Sequence, residues 1–194
     1  MLKVGLTGGL ASGKTHIARE LGRLGCHVIN ADELGHQVLE NEARKAVLEE
    51  FGTTGRQELA ALVFNNPDRL KALTDIVHPA VRRLADLRQA EFQRKDPAGI
   101  LIYEAAILVE TGGFHDFDKL IVASCPEEVQ IERGMARDGS TREATLSRLR
   151  RQLPLKEKLQ YADFVIETSG TREHTLEQTR HVYEKLRGVK QQPS

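Results

Sequence analysis

The residues with the clearest chemical meaning form a glycine-rich loop near the beginning of the chain. Residues 8–15 (GGLASGKT) fit the pattern G-x-x-x-x-G-K-[ST] at every fixed position. Glycines allow backbone N–H groups to curl around phosphate oxygens, and a helix that follows directs its positive end at them. Lys14 can reach the terminal phosphates of a nucleotide, and the Thr15 hydroxyl is placed to bind Mg²⁺. The sequence therefore predicts a nucleoside-triphosphate site here.

The loop alone does not decide between a GTPase switch, a motor ATPase and a small-molecule kinase. A GTPase needs a guanine-reading N-K-x-D sequence, which the chain lacks, and the D-x-x-G match at 32–35 is a weak signal. Motor ATPases usually need a longer core than 194 residues supply around a helical insertion. A small-molecule kinase fits the length best, and a nucleotide-dependent switch without transfer chemistry stays open as the alternative.

Asp32 is the candidate for a general base. It follows the predicted strand 27–30 almost at once, at the carboxyl end where parallel sheets place their ligands. A carboxylate at this position can take the proton from an attacking hydroxyl group. The alternative is that Asp32 only caps the next helix.

Glu104 ends the apolar run 100–103 and is a second candidate carboxylate. It could hold Mg²⁺ through a water, as a Walker-B-like acid. It could equally be a strand-end carboxylate that accepts hydrogen bonds from the backbone, and the sequence does not separate these two interpretations.

Positive charge is concentrated between residues 133 and 151, a segment that contains six arginines and only two acidic residues. Gln130, Arg133 and Arg137 are spaced to share one helix face. Arginine side chains stabilise the spreading charge of a transferring phosphoryl group, and the turn at 138–140 is a place where a lid could move. The alternative is a solvated helical face with salt bridges.

His78 and Pro79 form a less certain candidate site. A histidine before a helix-initial proline is typical of a helix start. With Arg82 and Arg83 one turn further on, the same element could instead bind a phosphate of the acceptor.

The elements that must position these residues alternate between short apolar runs and longer helical patterns. This alternation predicts a parallel α/β sheet with helices on both faces. The predicted strands are 2–7, 27–30, 99–103, 120–123 and 164–166, and a helix is predicted over 14–24. Between residues 32 and 95 the apolar spacing is helical, with breaks at Gly52, Gly55, 65–67 and 78–79. This segment predicts an inserted helical subdomain.

The composition excludes several classes of protein. Lys and Arg total 28 and Asp and Glu total 28, so the formal net charge is zero, which argues against a general nucleic-acid coat or a polybasic membrane anchor. The two cysteines are far apart and offer neither a disulfide framework nor a cysteine-based zinc site. No signal peptide fits the N-terminus, and no apolar run approaches 18 residues. We therefore expect a cytoplasmic protein without nucleic-acid or membrane partners.

Several motifs, taken in order, resemble the dephospho-CoA kinase family over nearly the whole chain. They include the glycine loop, the lid pattern around Arg133 and Arg137, and the strand 162–166 (ADFVI). The other matching segments are 28–32 (VINAD), 62–64 (LVF) ahead of His78-Pro79, 107–112 (ILVETG), Arg148 and Gln152. Together these motifs are far more specific than the loop alone.

The resemblance implies a P-loop NTPase fold, a three-layer α/β/α parallel sheet with an inserted helical substrate-binding subdomain and a lid. The implied single domain covers 2–188, with a core at about 2–31 and 97–187, the helical acceptor subdomain at about 33–95 and the lid at about 138–150.

The implied reaction is the last step of coenzyme A biosynthesis, in which ATP and Mg²⁺ phosphorylate the ribose 3′-hydroxyl of dephospho-CoA to give CoA and ADP. A kinase of another small alcohol or nucleoside is the alternative enzyme. The implied catalytic residues are Asp32, Lys14 and Arg137. The implied ATP-binding residues are Gly8, Gly9, Ala11, Ser12, Gly13, Lys14, Thr15, His16, Arg133 and Arg137. The implied substrate-binding residues are His78, Arg82 and Arg148, and Thr15 and Glu104 are the metal candidates.

The chain departs from the family pattern in four places. At residues 167–170 (ETSG), where an asparagine of the family often follows the strand, adenine contacts would run through the backbone or Thr168. Asn30 replaces the first acid of a D-A-D motif, which leaves a magnesium role at this position open. Ala106 replaces a proline, and His16 takes a position usually held by Ser or Thr. None of these changes removes the loop lysine, its hydroxyl neighbour or the candidate base.

Overall fold

Five β-strands form a parallel sheet in a computed structural model that describes residues 1–63 and 66–189. The strands are β1 (Leu2–Gly8), β2 (His27–Asn30), β3 (Ile100–Glu104), β4 (Lys119–Ser124) and β5 (Phe164–Glu167). Their order across the sheet is β2-β3-β1-β4-β5. The parallel α/β class predicted from the alternation of apolar runs is therefore confirmed.

The register of the sheet determines which side chains reach the glycine loop. β1 is central and pairs in parallel with β3 and β4, with Leu6 opposite Glu104 and Gly8 opposite Ala123. Because β3 ends beside β1, Glu104 lies close to the point where the loop begins. Ligands of open parallel sheets bind at this carboxyl edge.

Side chains of successive strand residues point to opposite faces of the sheet. One of these faces packs on the first and the last helix of the described chain. The helices are α1 (Lys14–Arg23), α2 (Ala31–Glu40), α3 (Arg44–Phe51), α4 (Arg56–Val63), α5 (Pro67–Lys95), α6 (Glu127–Asp138), α7 (Arg142–Leu149), α8 (Leu155–Leu159) and α9 (Arg172–Val189). Every second strand residue is buried in a core shared with α1 and α9. This core includes Val4, Leu6, Ile17, Leu21, Ile102, Ile121, Ile166, Val182 and Leu186. It anchors the helix that begins at Lys14.

The chain divides into two compact units. One comprises Met1–Val28 together with the chain from Lys95 onward, and the other comprises Ile29–Arg94. The second unit contains α2 to α4 and most of α5, and it has its own apolar core. That core is formed by Val38, Ala43, Val47, Phe51, Leu59, Val63 and Ala80. Of the sequence 62–64, Leu62 and Val63 end α4, and Phe64 lies outside the described residues.

The expected helix start at His78-Pro79 is wrong, because α5 runs through both residues. Pro79 has no N–H to donate to the carbonyl of Asp75, which normally ends or kinks a helix. Apolar residues on both sides of the proline nevertheless pack on one core, and they keep the segment helical: Leu73, Ile76 and Val77 before it, and Ala80, Val81 and Leu84 after it. Tertiary packing therefore outweighs the local signal.

The helices of residues 1–63 and 66–189 do not include one that combines the length and the apolar character needed to span a membrane.

Candidate active site

The glycine loop joins the end of β1 to the first turn of α1, as predicted. Gly13 precedes α1 with φ +86°, a left-handed conformation that favours glycine. At Gly8, where φ is +154°, a Cβ would lie 2.7 Å from the carbonyl oxygen of Ala123. These glycines are therefore required by the backbone path, which brings the loop's N–H groups to the positive end of α1.

Gly9 is required for a different reason, since a Cβ there would overlap the side-chain amide of Gln130. Gln130 is 5% exposed, and its Nε2 donates to the carbonyl oxygen of Cys125 at 2.7 Å. The amide therefore has little freedom to move away, and it sets how closely the loop packs against α6.

We expect Gly9→Ala to weaken nucleotide binding by a free energy of about 1–3 kcal/mol, because overpacking of this kind displaces the loop or Gln130. Isothermal titration with ADP measures this change. Gly188→Ala is the matched control, since a Cβ at Gly188 meets no atom of the described residues within 4 Å. Equal ADP affinity in the two variants would contradict the expectation.

An open pocket of about 320 Å³ brings together the predicted loop and two of the predicted arginines. It is lined by Ala11, Ser12, Gly13, Lys14, Thr15, Arg133 and Arg137. The Lys14 ammonium group donates to the carbonyl oxygens of Gly8 and Gly9, at 3.0 and 2.9 Å. These contacts hold the charge of Lys14 against the loop, in the lining of a pocket whose cations and backbone N–H groups suit phosphate groups.

Gly8, Gly9 and His16 belong to the loop and the first turn of α1, but they are not among the described residues that line the pocket. The His16 amide donates to the Gly13 carbonyl in the first turn of α1, at 3.0 Å. The Nε2 atom of His16 is buried without a hydrogen-bond partner among the described residues. The structure therefore places His16 beside the loop and gives its Nε2 atom no hydrogen-bond role in the described parts of the chain.

Thr15 and Glu104 bring a hydroxyl oxygen and a carboxylate oxygen together beside the loop. The Thr15 hydroxyl donates to Oε1 of Glu104 at 2.7 Å, and Glu104 is 5% exposed. Hydroxyl and carboxylate oxygens are ligands that Mg²⁺ accepts, and Mg²⁺ usually takes its remaining ligands from water and phosphate. No group of three or more His, Cys, Asp or Glu side chains suited to a metal occurs in the described parts of the chain. The pair fits a magnesium ion that arrives with a nucleotide.

Arg133 is anchored at the carboxyl edge of the sheet. Its Nη2 donates to the carbonyl oxygen of Thr168 at 2.7 Å, and its Nη1 donates to Sγ of Cys125 at 3.7 Å. The Thr168 hydroxyl in turn donates to the carbonyl oxygen of Ser12 at 2.8 Å. Thr168 therefore connects the arginine to the loop, a role that the sequence alone did not predict.

Arg137 and Arg148 share a carboxylate at the end of α6. Asp138 accepts two hydrogen bonds from Arg137, at 2.7 and 3.0 Å, and one from Arg148 at 2.5 Å. Hydrogen bonds from Arg137, aided by those from Arg148, lower the pKa of Asp138 to about 2. Gly139 ends the helix with φ +61°. The predicted turn at 138–140 is thus a junction at which a single acid holds two arginines.

Asp32 is the second residue of α2, and it is not the helix cap. The Asn30 side chain provides the cap, since Oδ1 accepts from the backbone N–H of Asp32 at 2.9 Å and of Glu33 at 3.1 Å. The side chain of Asp32 is exposed. The departure at Asn30 therefore has a structural role, and the Asp32 carboxylate takes no part in the Asn30 cap.

His78 and Arg82 lie four residues apart on α5, so their exposed side chains share one helix face. Arg83 is directed elsewhere, because it forms an ion pair with Glu42 in which Nε donates to Oε1 at 3.0 Å. The predicted basic element thus presents His78 and Arg82 together.

Sequence reasoning also missed a buried ion pair behind the loop. The side chain of Lys158 is 0% exposed, and its Nζ lies 2.6 Å from Oε1 of Glu110. Burial lowers the pKa of Lys158, and the hydrogen bond and charge of Glu110 oppose that shift. A lysine in a short, charged helix such as α8 carries no sequence signal of burial, so only the fold reveals it.

We expect Lys158→Met to lower the free energy of unfolding by about 3–5 kcal/mol, because it leaves the Glu110 carboxylate without its cation. The double variant that adds Glu110→Gln removes both charges and is expected to recover much of the loss. Urea unfolding monitored by circular dichroism measures both effects. A single variant as stable as the original chain would contradict this expectation.

A phosphate loop between the central strand and the first helix of a parallel sheet defines a P-loop nucleotide-binding protein. Solved kinases share the fold: shikimate kinase from Bacteroides thetaiotaomicron superposes with a TM-score of 0.54 at 12% identity, covering 95% of this chain and 98% of that one. The sequence model of the dephospho-CoA kinase family matches residues 2–174. The chain belongs to the dephospho-CoA kinase family.

Relatives over the full length support this membership. Dephospho-CoA kinase from Aquifex aeolicus is 36% identical over 96% of this chain and 98% of its own length. The Geobacter metallireducens enzyme of the same name is 39% identical over 92% of this chain and 93% of its own length. The structure of dephospho-CoA kinase from Campylobacter jejuni superposes with a TM-score of 0.69 at 26% identity, covering 96% of this chain and 98% of that one.

Proposed function

We propose that this protein transfers the γ-phosphoryl group of ATP to the ribose 3′-hydroxyl of dephospho-CoA, which gives CoA and ADP. The observation that carries the proposal is the pocket in which the loop, Lys14, Thr15, Arg133 and Arg137 meet. A kinase needs this convergence of backbone N–H groups and cations around the phosphates of its donor. Membership of the family supports dephospho-CoA as the acceptor.

Asp32 is proposed as the general base. In the transfer, the 3′-hydroxyl oxygen forms a bond to the γ-phosphorus, the bond from that phosphorus to the bridging oxygen of ADP breaks, and the hydroxyl proton passes to the Asp32 carboxylate. The carboxylate is exposed and follows directly on the carboxyl end of a sheet strand. Open parallel sheets bind their ligands at this end of their strands.

Lys14, Arg133 and Arg137 are proposed to stabilise the negative charge that spreads over the transferring group. Arg133 is already anchored on the Thr168 carbonyl, so it can act without a large rearrangement. Arg137 is held by Asp138, and a nucleotide phosphate would compete for the same guanidinium group. Preorganised cations of this kind act most strongly where water is excluded.

Thr15 and Glu104 are proposed to hold Mg²⁺ together with ATP, Thr15 directly and Glu104 through a water. When bound, the ion neutralises charge on the nucleotide phosphates. The observed hydrogen bond between the Thr15 hydroxyl and Oε1 of Glu104 supports this assignment, because it keeps two oxygen atoms of the kind that Mg²⁺ accepts within 2.7 Å of each other beside the loop.

The helical unit Ile29–Arg94 is proposed to bind the acceptor. His78 and Arg82 give it an exposed basic face that suits the phosphate groups of dephospho-CoA. The segment 138–150 is proposed as a lid over the nucleotide, with Arg148 reaching the substrate when its pair with Asp138 opens.

An acceptor panel in a coupled ADP-release assay tests the proposed function. We expect dephospho-CoA to exceed adenosine, shikimate and gluconate in kcat/KM by orders of magnitude, because the long substrate supplies binding energy remote from the reacting hydroxyl. Preference for another small alcohol or nucleoside would contradict the acceptor assignment. Tight nucleotide binding with no acceptor-dependent ADP release would point to a nucleotide-dependent switch.

A further inference from the structure

One N–H group of the phosphate loop is bonded to a side chain that lies far away in the sequence. The backbone N–H of Leu10 donates to Oε1 of Gln152 at 2.8 Å. Gln152 lies in the turn between α7 and α8, and its own N–H donates to the Leu149 carbonyl at 2.9 Å. The loop is therefore fastened from outside at the residue that follows its first two glycines.

The turn that carries Gln152 is held by the buried pair described above. The N–H of the next residue, Leu153, donates to Oε1 of Glu110 at 3.0 Å. The same oxygen lies 2.6 Å from Nζ of Lys158. The lysine charge thus fixes the carboxylate, and the carboxylate fixes the backbone next to Gln152.

The pair is also attached to the strand that enters the loop. The Lys158 ammonium group donates to the carbonyl oxygen of Ala106 at 2.7 Å, and the Thr7 hydroxyl donates to the same oxygen at 3.2 Å. Thr7 immediately precedes Gly8. Hydrogen bonds therefore join the end of β1 to Lys158, Glu110 and Leu153, and the peptide link from Leu153 to Gln152 continues this path to Leu10.

We propose that Gln152 is a positioning residue for the phosphate loop, and that the buried Lys158–Glu110 pair holds it in place. By accepting the Leu10 N–H, Gln152 fixes the first half of the loop in a shape that leaves the remaining N–H groups directed at phosphate. Without it, the loop must be ordered by the nucleotide itself, which lowers affinity. The inference rests on the nucleotide-binding part of the proposed function and not on the identity of the acceptor.

The variant Gln152→Met tests the proposal, because methionine matches the shape of glutamine but cannot accept the Leu10 N–H as an oxygen does. We expect the Kd for ADP and the KM for ATP to rise roughly three- to tenfold, the range that one lost hydrogen bond allows. The loop is used equally in the ground state and the transition state, so kcat at saturating ATP should stay within about twofold. The KM for dephospho-CoA should not change.

Gln160→Met is the matched control, since Gln160 is exposed and follows the same short helix α8. Its ADP affinity should equal that of the original chain. Lys158→Met is the second variant, and its folded fraction should show the same loss of ADP affinity as Gln152→Met. If the pair only stabilised the fold, Lys158→Met would lower the melting temperature and leave the ADP affinity of the folded protein unchanged.

ADP affinity equal in Gln152→Met and Gln160→Met would overturn the proposal, whatever Lys158→Met does. Loss of affinity in Gln152→Met but not in folded Lys158→Met would overturn the role given to the buried pair. Because ADP titration needs no acceptor, it decides these points even if the acceptor panel contradicts the proposed function. That panel, run on the unaltered chain, is independent of Gln152.

Discussion

Replacing Asp32 by asparagine is expected to lower kcat for dephospho-CoA phosphorylation by about 10²–10⁴-fold, the usual contribution of a general base. An amide keeps the size of the side chain but cannot take the proton of the 3′-hydroxyl. The fold should be unaffected, because the cap of α2 is the Asn30 side chain and Asp32 contributes only its backbone N–H to that cap. Steady-state kinetics with both substrates saturating give the change in kcat.

Glu33→Gln is the matched control for this variant. Glu33 is exposed, adjacent in the same first turn, and bonded to Asn30 in the same way through its backbone N–H. It should leave kcat close to that of the original chain. If kcat of Asp32→Asn is close to that of Glu33→Gln, and ADP affinity is unchanged in both variants, Asp32 is not the general base.

Lys14→Met is expected to have the second large effect. The ammonium group lies at the loop carbonyls of Gly8 and Gly9, where it can move onto the phosphates of bound ATP. Loss of a single preorganised group that stabilises developing charge typically costs about 10²–10³-fold in kcat. The same cation also binds the ground state, so the Kd for ADP should rise as well.

Lys156→Met controls for the loss of a positive charge from the chain as a whole. Lys156 is exposed on α8, outside the residues that line the pocket in the described chain. Its kinetics should match those of the original chain. A Lys14→Met variant that retains normal kcat would show that Lys14 stabilises the loop and does not take part in transfer.

The sheet and the phosphate loop are predictable because their signals are local. Strand 27–30 and the beginning of α1 at Lys14 are found where the sequence places them, since a short apolar run and a glycine before a helical pattern each specify one conformation. The glycine positions and the adjoining strand specify the path of the loop locally, and distant side chains such as Gln130 and Gln152 complete its contacts. The predicted convergence of Lys14, Thr15, Arg133 and Arg137 on one pocket follows from the topology of the sheet.

Other features depend on contacts between distant parts of the chain, and local signals do not determine them. The local sequence predicts a helix start at Pro79, but Pro79 lies inside α5 because apolar residues on both sides of it pack on one core. The burial of Lys158 depends on Glu110 and Ala106, some fifty residues away. In the family pattern Asn30 is a replaced acid, whereas in the structure its side chain caps α2. Asparagine is a common capping residue, but comparison with the family pattern does not indicate this role.

The most direct test of the central claim is ADP release at saturating ATP and magnesium, measured with and without dephospho-CoA while CoA formation is followed by mass spectrometry. The proposed function predicts slow release alone, fast release with dephospho-CoA, and one CoA formed for each additional ADP. ADP release that does not depend on dephospho-CoA, or that proceeds without a phosphorylated product, would contradict it.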